Sequence, residues 1–264
     1  MFPRSTAIIL AFLSLASPAG AAAVSLYSQN FDGMIPTIDT FTNSTSALPT
    51  GWKFESGTSP SFGSVNATSA VTQNAGTSGT SRVLTSSVSG GDYLFVNGNL
   101  ATGTDKGIGF ITTGAYSSPR SIMFQYTNNT GSGISSFNAS WDYEKYRSGS
   151  RAIDWTFFSS TDGTNWTAVT AGDKSYSGDA NNSTVFNPPS TNSKSGIAIA
   201  TSVANGASLY LRWTYTGSGG STNGQALGID NFSLTGIPAP VIPAPGALAL
   251  LGVAGLVSGA RRRR

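Results

Sequence analysis

Several segments of the chain alternate apolar and polar residues with a period of two. In the run 137–143 every odd position is apolar or aromatic, and the positions between are Asn138, Ser140 and Asp142. The same alternation occurs in 122–126, 153–157 and 209–215, where Arg212 and Thr214 face away from the apolar set. A period of two is typical of a strand with one buried face. The pattern therefore predicts four core strands, with Trp141, Trp155 and Trp213 in the core.

A phase change near the end of this region predicts a local irregularity. Leu227 and Ile229 occupy odd positions, whereas Phe232 and Leu234 occupy even ones. All four side chains face the same way only if one extra residue is inserted between them. The sequence predicts a β-bulge near Asp230.

Turn signals separate the apolar runs, for example Asn205-Gly206 and the glycine-rich stretch 217–220, and no stretch of the body has helical periodicity. A single all-β domain is common at this length. We therefore predict that residues 24–236 form an all-β domain, an antiparallel β-sandwich of the jelly-roll or lectin-like type.

The two ends of the chain have a different character. Arg4, the apolar run 7–15 and the small residues 19–23 form the pattern of a secretory signal peptide, which predicts removal of residues 1–23 by signal peptidase. At the other end, a proline-rich linker (237–245) precedes an apolar segment (246–260) and four arginines (261–264).

The apolar segment 246–260 is short for a membrane span. As a helix its 15 residues would rise about 22 Å, against a hydrocarbon core of roughly 30 Å. The positive-inside bias places the arginines in the cytoplasm and everything before the helix outside it. We expect transient or permanent anchoring in the inner membrane through this helix.

The order Pro-x-Pro-Gly, short apolar helix and arginine cluster resembles the bacterial PEP-CTERM sorting signal. The positions that match are Pro243, Pro245, Gly246, Arg261, Arg262, Arg263 and Arg264, and Ala244 stands where the family has glutamate. The resemblance implies processing by an exosortase and export to the cell surface or extracellular matrix, together with extracellular polysaccharide. The open alternative is an ordinary tail anchor.

The body is similar to a recurrent domain of exported PEP-CTERM proteins. The matching stretches include Gln29-Asn30-Phe31-Asp32, the run 48–52, the run 143–147 and Gly228-Ile229-Asp230-Asn231-Phe232. This resemblance implies an architecture similar to lectin-like and carbohydrate-binding jelly rolls.

The amino-acid composition limits the catalytic and metal-binding chemistry that the chain can perform. The chain has no cysteine and no histidine, which excludes thiol nucleophiles, Ser-His-Asp triads and His-ligated zinc. Removing Arg4 and the four terminal arginines from the 15 basic residues leaves 10 against 12 acidic ones, so the body has a net charge of −2. No nucleic-acid partner is expected.

Paired carboxylates are the remaining catalytic chemistry. Asp142 and Glu144 lie at i and i+2 on one strand face, a spacing compatible with an inverting glycosidase. The simpler interpretation is the solvent-facing half of an alternating strand. We therefore predict a non-enzymatic surface or matrix protein associated with exopolysaccharide. The alternative is a carbohydrate-binding protein or a carboxylate-based glycan-active enzyme.

Two kinds of binding residue stand out. Asp32, Asp230 and Asn231 are candidate calcium ligands, because adjacent first and last strands would bring them together; turn and bulge geometry without a metal is the alternative. No other cofactor is expected. Trp52, Trp166 and Tyr146 follow turns or lie in polar contexts, which makes them candidates for stacking on a glycan.

Overall fold

The computed structural model describes residues 21–36, 46–79, 83–84, 89–113, 119–179, 184–219 and 224–240. Within these residues the chain forms fifteen strands and one 3-10 turn, Thr170–Gly172. The strands are β1 (Val24–Gln29), β2 (Ser46–Ala47), β3 (Trp52–Ser56), β4 (Ala70–Val71), β5 (Gln73–Ser78), β6 (Gly91–Asn99), β7 (Lys106–Ile111), β8 (Arg120–Thr127), β9 (Ile134–Arg147), β10 (Ala152–Ser160), β11 (Thr167–Ala168), β12 (Lys174–Tyr176), β13 (Val185–Ile199), β14 (Ser208–Ser218) and β15 (Ala226–Pro238).

The strands form two large sheets. The seven-stranded sheet has the order β13-β9-β15-β7-β6-β5, with β1 also paired to β15, and the six-stranded sheet has the order β11-β10-β14-β8-β3, with β12 also paired to β10. β2 and β4 form a separate small pair. One pairing departs from the predicted antiparallel arrangement, because β5 runs parallel to β6, with Gln73 opposite Tyr93.

A core rich in aromatic rings lies between the two large sheets. The Trp213 ring of the six-stranded sheet is 5.4 Å from Trp141 and 5.5 Å from Phe232, both of the opposite sheet. Trp141, Trp155 and Trp213 are buried, and the four predicted core strands correspond to β8, β9, β10 and β14. The prediction of an all-β sandwich is therefore confirmed.

The predicted β-bulge is also confirmed. Asp230 pairs with Asp142 and Ser233 pairs with Ser140, so β15 advances three residues while β9 advances two. Asn231 takes up the extra residue with φ of 51°, a left-handed conformation that asparagine tolerates better than most residues. As a result Ile229 and Phe232 both face the core.

A second, smaller apolar cluster covers the other face of the seven-stranded sheet. Its members are Ala75, Leu84, Tyr93, Phe95, Ile111, Tyr146 and Ala226. The rings of Tyr93 and Phe95 lie 5.2 Å apart, and that of Phe95 lies 4.6 Å from Tyr146. This sheet is therefore buried on both faces where the cluster covers it.

The predicted signal peptide, apolar helix and arginine tail fall outside the described residues, except for residues 21–23. The described part of the linker 237–245 continues β15 to Pro238. No helix within the described ranges is long and apolar enough to cross a membrane.

Candidate functional site

The outer face of the six-stranded sheet carries the most distinctive group of side chains. The core residues of β14 alternate with Tyr210, Arg212 and Thr214, which consequently point away from the sandwich interior. Across the sheet, Arg212 is in register with Phe158 of β10 on one side and with Met123 of β8 on the other. Met123 is in turn opposite Lys53 of β3. One row of this face thus carries two cations and an aromatic ring.

We call this group the aromatic strip: Lys53, Phe62, Phe158, Trp166, Tyr210 and Arg212. Its four rings are half-buried, so part of each ring reaches solvent. The Phe62 and Tyr210 rings lie 5.3 Å apart. The Lys53 ammonium lies 4.6 Å from the centre of the Phe62 ring. Partly exposed aromatic rings are able to stack on apolar surfaces of a ligand.

The loop 57–67 builds one side of the strip. The Phe62 amide donates to the carbonyl of Gly163, and the Phe62 carbonyl accepts from Lys53 Nζ, both at 2.9 Å. Trp166 Nε1 donates to the carbonyl of Pro60 at 2.8 Å. Gly163 has φ of 71°, and a Cβ there would lie 3.1 Å from Phe62 and Tyr210. A glycine at the turn after β10 therefore allows the loop and the strand to meet.

Arg212 occupies an unusual environment within the strip. Its guanidinium carbon lies 3.9 Å from the centre of the Phe158 ring and 4.8 Å from that of Trp166. The side chain is 7% exposed, and its Nε has no hydrogen-bond partner. Burial lowers the pKa of Arg212 to about 10. Within the described ranges no carboxylate or carbonyl compensates this charge. The two rings are its only described partners.

The predicted glycan contacts have different outcomes. Trp166 lies in the aromatic strip. The prediction that Trp52 lies at the surface is wrong. Its side chain is 1% exposed and packs on Phe124, and its Nε1 donates to Tyr27 Oη at 3.0 Å. Tyr146 is also 1% exposed and belongs to the second apolar cluster. Neither ring can stack on an external sugar in this structure.

Sequence patterns pointed to only part of the strip. The alternation in 209–215 indicated that Arg212 faces away from the core. Phe158 follows the inward-facing Phe157 directly, which is a signal for an outward ring. Phe62 lies in a loop, and nothing in its surroundings indicates that the loop folds back over the sheet.

A buried group of carboxyl side chains lies at the bulge of the seven-stranded sheet. Asp230 is 1% exposed and its Oδ1 has no partner among the described residues. Burial raises its pKa to about 9, with a smaller contribution from Glu144. Burial likewise raises the pKa of Glu144 to about 7, while the hydroxyl of Tyr146 donates to Glu144 Oε2 and opposes the shift.

The strand order brings Asp32 to the same place. β7 pairs with residues 227–229 of β15 and β1 with residues 232–236, so the bulge lies at the gap between β1 and β7. Asp32 follows β1, and its Oδ1 accepts from the Lys106 amide at the start of β7 at 3.0 Å. The negative charge of Asp32 contributes to the raised pKa of Asp230.

The predicted calcium ligands are only partly assembled. Asn231 is exposed and donates from Nδ2 to Asp142 Oδ2 at 2.9 Å. Across the described part of the chain, no three acidic side chains are arranged to hold a metal ion. The orphaned Asp230 Oδ1 is the one observation that fits a cation.

The expectation that Asp142 and Glu144 form one solvent-facing pair is wrong for Glu144. Glu144 is 4% exposed, and its Oε2 accepts from the hydroxyl of Tyr146, a member of the second apolar cluster. The burial follows from the layer beyond the sheet, which alternation within one strand does not reveal. A carboxyl group this deeply buried is not accessible to a polysaccharide in this structure.

Comparison with known proteins places the chain in no family. No protein-family model matches it, and no curated protein matches it. Similar solved structures include the CBM22-1 xylan-binding domain of Paenibacillus barcinonensis Xyn10C, with 12% identity over 84% of this chain and 100% of that one, at a TM-score of 0.40.

Two further structures are similar at the same level. The K3 cleaved adhesin domain of Lys-gingipain from Porphyromonas gingivalis is 8% identical over 80% of this chain and 98% of that one, with a TM-score of 0.37. TmCBM61, solved with β-1,4-galactotriose, is 10% identical over 51% of this chain and 72% of that one, with a TM-score of 0.30. Likeness at these TM-scores does not bear on function.

Proposed function

We propose that this protein is a non-catalytic, glycan-binding β-sandwich of the jelly-roll type, exported to a bacterial cell surface or extracellular matrix. The aromatic strip is the observation that carries the proposal. Partly exposed rings bordered by hydroxyl and amide groups suit the alternating apolar and polar surfaces of a sugar chain. Gln125 supplies one such amide, with its Nε2 3.1 Å from both Tyr210 Oη and Ser208 Oγ.

Binding to polysaccharides tests this function directly. The purified protein is passed through native gels that contain soluble neutral or acidic polysaccharides, and retardation is compared with that of a non-binding reference protein. Retardation by at least one polymer, reduced in Tyr210→Ala, supports the proposal. Absence of retardation in every gel contradicts it.

The route to the surface is a second part of the proposal. Signal peptidase would remove residues 1–23, and an exosortase would recognise Pro243, Ala244, Pro245 and Gly246 ahead of the apolar helix and the arginine tail. Mass spectrometry of the protein from cells and from medium tests this route. Loss of the residues beyond about Pro245 supports sorting, whereas an intact arginine tail would indicate a retained membrane anchor.

Glycan-active catalysis finds weaker support. The pKa of about 7 for Glu144 resembles that of a general acid, but the side chain is 4% exposed and lies on the sheet opposite the aromatic strip. The geometry therefore favours binding. Calcium bound by Asp230 and Asp32 would compensate buried negative charge, and so would act on stability.

A further inference from the structure

The charges in the aromatic strip indicate the chemical class of its ligand, which the rings alone do not. We infer that the strip binds an acidic polysaccharide, with a carboxylate of the polymer pairing with the guanidinium of Arg212. The inference rests on the proposed glycan-binding function and specifies the chemical class of the glycan.

Arg212 is a buried cation without an anionic partner among the residues that the structure describes. Charged side chains are rarely buried unless they are paired, because desolvation costs several kcal/mol. Of its three nitrogens, only Nε is fully shielded without a partner, so the two terminal nitrogens, which form no hydrogen bond, reach the surface. Planar guanidinium groups bind carboxylates through two parallel hydrogen bonds. A carboxylate of the ligand would therefore be the anionic partner that Arg212 lacks among the described residues.

The carboxylates of the protein near this face accept hydrogen bonds from groups other than Arg212. Glu55 Oε2 accepts from the Ser61 amide at 2.6 Å. Asp154 Oδ1 accepts from Ser175 Oγ. Asp162 Oδ1 accepts from the amides of Thr164 and Asn165 at 2.8 and 2.7 Å. None of them forms an ion pair with Arg212.

Lys53 adds a second positive charge to the same row. Its strand β3 is separated from β14 by β8, and neighbouring strands lie about 4.8 Å apart. The two cations are thus about 10 Å apart across the sheet at backbone level, a separation on the scale of two sugar units. A polymer with a carboxylate on each sugar is able to meet both cations while its rings contact Tyr210 and Phe158.

A pair of polymers that differ only in charge tests the inference. Dissociation constants are measured by titration calorimetry for polygalacturonate and for its fully methyl-esterified form, in low salt with EDTA, which prevents calcium gelling. We expect polygalacturonate to bind about tenfold more tightly or better, since charge-assisted hydrogen bonds are stronger than neutral ones. The advantage should shrink as salt is added.

Variants separate Arg212 from general charge. Arg212→Met should lose most of the difference between the two polymers, with Lys53 retaining a remainder, Arg212→Lys should keep more of it, and Lys194→Met, which removes a cation from the opposite sheet, should behave as the wild type. Equal affinity of the wild-type protein for both polymers would overturn the inference while leaving glycan binding in place. Equally tight binding of dextran sulfate would show a general polyanion site and would also overturn it. Binding to no polymer would contradict the proposed function itself.

Discussion

Arg212 and Phe158 are register partners on β14 and β10, and the guanidinium carbon lies 3.9 Å from the centre of the ring. The contact places a positive charge against an aromatic face at the centre of a sheet whose other face is the hydrophobic core. Cation–π attraction of about 0.5 to 2 kcal/mol offsets part of the desolvation of such a charge. The part of the desolvation cost of Arg212 that the ring does not offset affects the stability of the protein as well as ligand binding.

Replacing rings of the aromatic strip should weaken glycan binding without unfolding the protein. Tyr210→Ala and Trp166→Ala are each expected to lower affinity by about tenfold, because contact rings at the centre of an interface typically contribute most of its binding energy. Phe186→Ala removes a half-buried ring from β13 of the opposite sheet and serves as the matched control. Equal losses in the control and the strip variants would contradict the location of the site.

Removing the buried charge should make the protein more stable. Arg212→Met keeps an unbranched side chain between Phe158 and Trp166, and we expect the free energy of unfolding to rise by about 1 to 3 kcal/mol. Urea denaturation at neutral pH measures the change, with Lys53→Met as a comparison at a half-exposed position. A fall in stability for Arg212→Met would show that the guanidinium is better compensated than its described partners indicate.

Stability should fall as pH rises. The carboxyl groups of Asp230 and Glu144, with pKa values of about 9 and about 7, bind protons more tightly in the folded chain than in the unfolded one. The folded state therefore holds more protons above about pH 4, and the free energy of unfolding decreases between about pH 4 and 9. Asp230→Asn should flatten the upper part of this slope. Asp154→Asn, on the other sheet, should leave the slope unchanged, and a slope retained in Asp230→Asn would contradict the assignment.

Calcium should reverse the effect of high pH if Asp230 and Asp32 bind it. At about pH 8.5 we expect calcium at up to about 5 mM, above the dissociation constants of many extracellular calcium modules, to raise the melting temperature. Asp230→Asn should lose the response, and magnesium should act more weakly. Identical melting curves with calcium and with EDTA would assign Asp32 and Asn231 to turn and bulge geometry alone.

The bulge residue offers a backbone test. Asn231→Gly keeps access to the left-handed conformation and should cost little, whereas Asn231→Val places a β-branched side chain at φ of 51° and should cost about 1 to 3 kcal/mol. Both variants lose the hydrogen bond to Asp142, so their difference isolates the backbone. Equal stability of the two variants would contradict a strained bulge.

Local sequence patterns predicted those features of the fold that depend on a single strand. The alternation around Trp141 and Trp213 and the phase change at Asp230 identified core positions and the bulge, because side-chain direction in a strand follows residue count. Trp52 was misassigned because its burial depends on pairing with Phe124, more than 70 residues away. Tyr146 was misassigned because its burial comes from the second apolar cluster, whose other members lie on different segments of the chain.

The aromatic strip shows the same limit. Phe62 reaches Tyr210 only after the loop 57–67 bonds to the turn at Gly163, a contact between segments about 100 residues apart. The periodicity of the sequence does not predict a contact of this kind. The buried carboxyl group of Glu144 is similar, since its environment comes from β6, β7 and a covering cluster on other segments.

The position of β15 determines how the body would bear mechanical load. This strand leads to Pro238, the last strand residue before the tail, and it is hydrogen-bonded to β9 along one edge and to β1 and β7 along the other. Tension applied through the tail would run along the strand axis and load many hydrogen bonds on both edges in shear. They would have to fail together, whereas an edge strand can peel one bond at a time. If the body is tethered by its C-terminal end and binds a polymer through the opposite sheet, as proposed, the load would enter through a strand that is hydrogen-bonded along both edges.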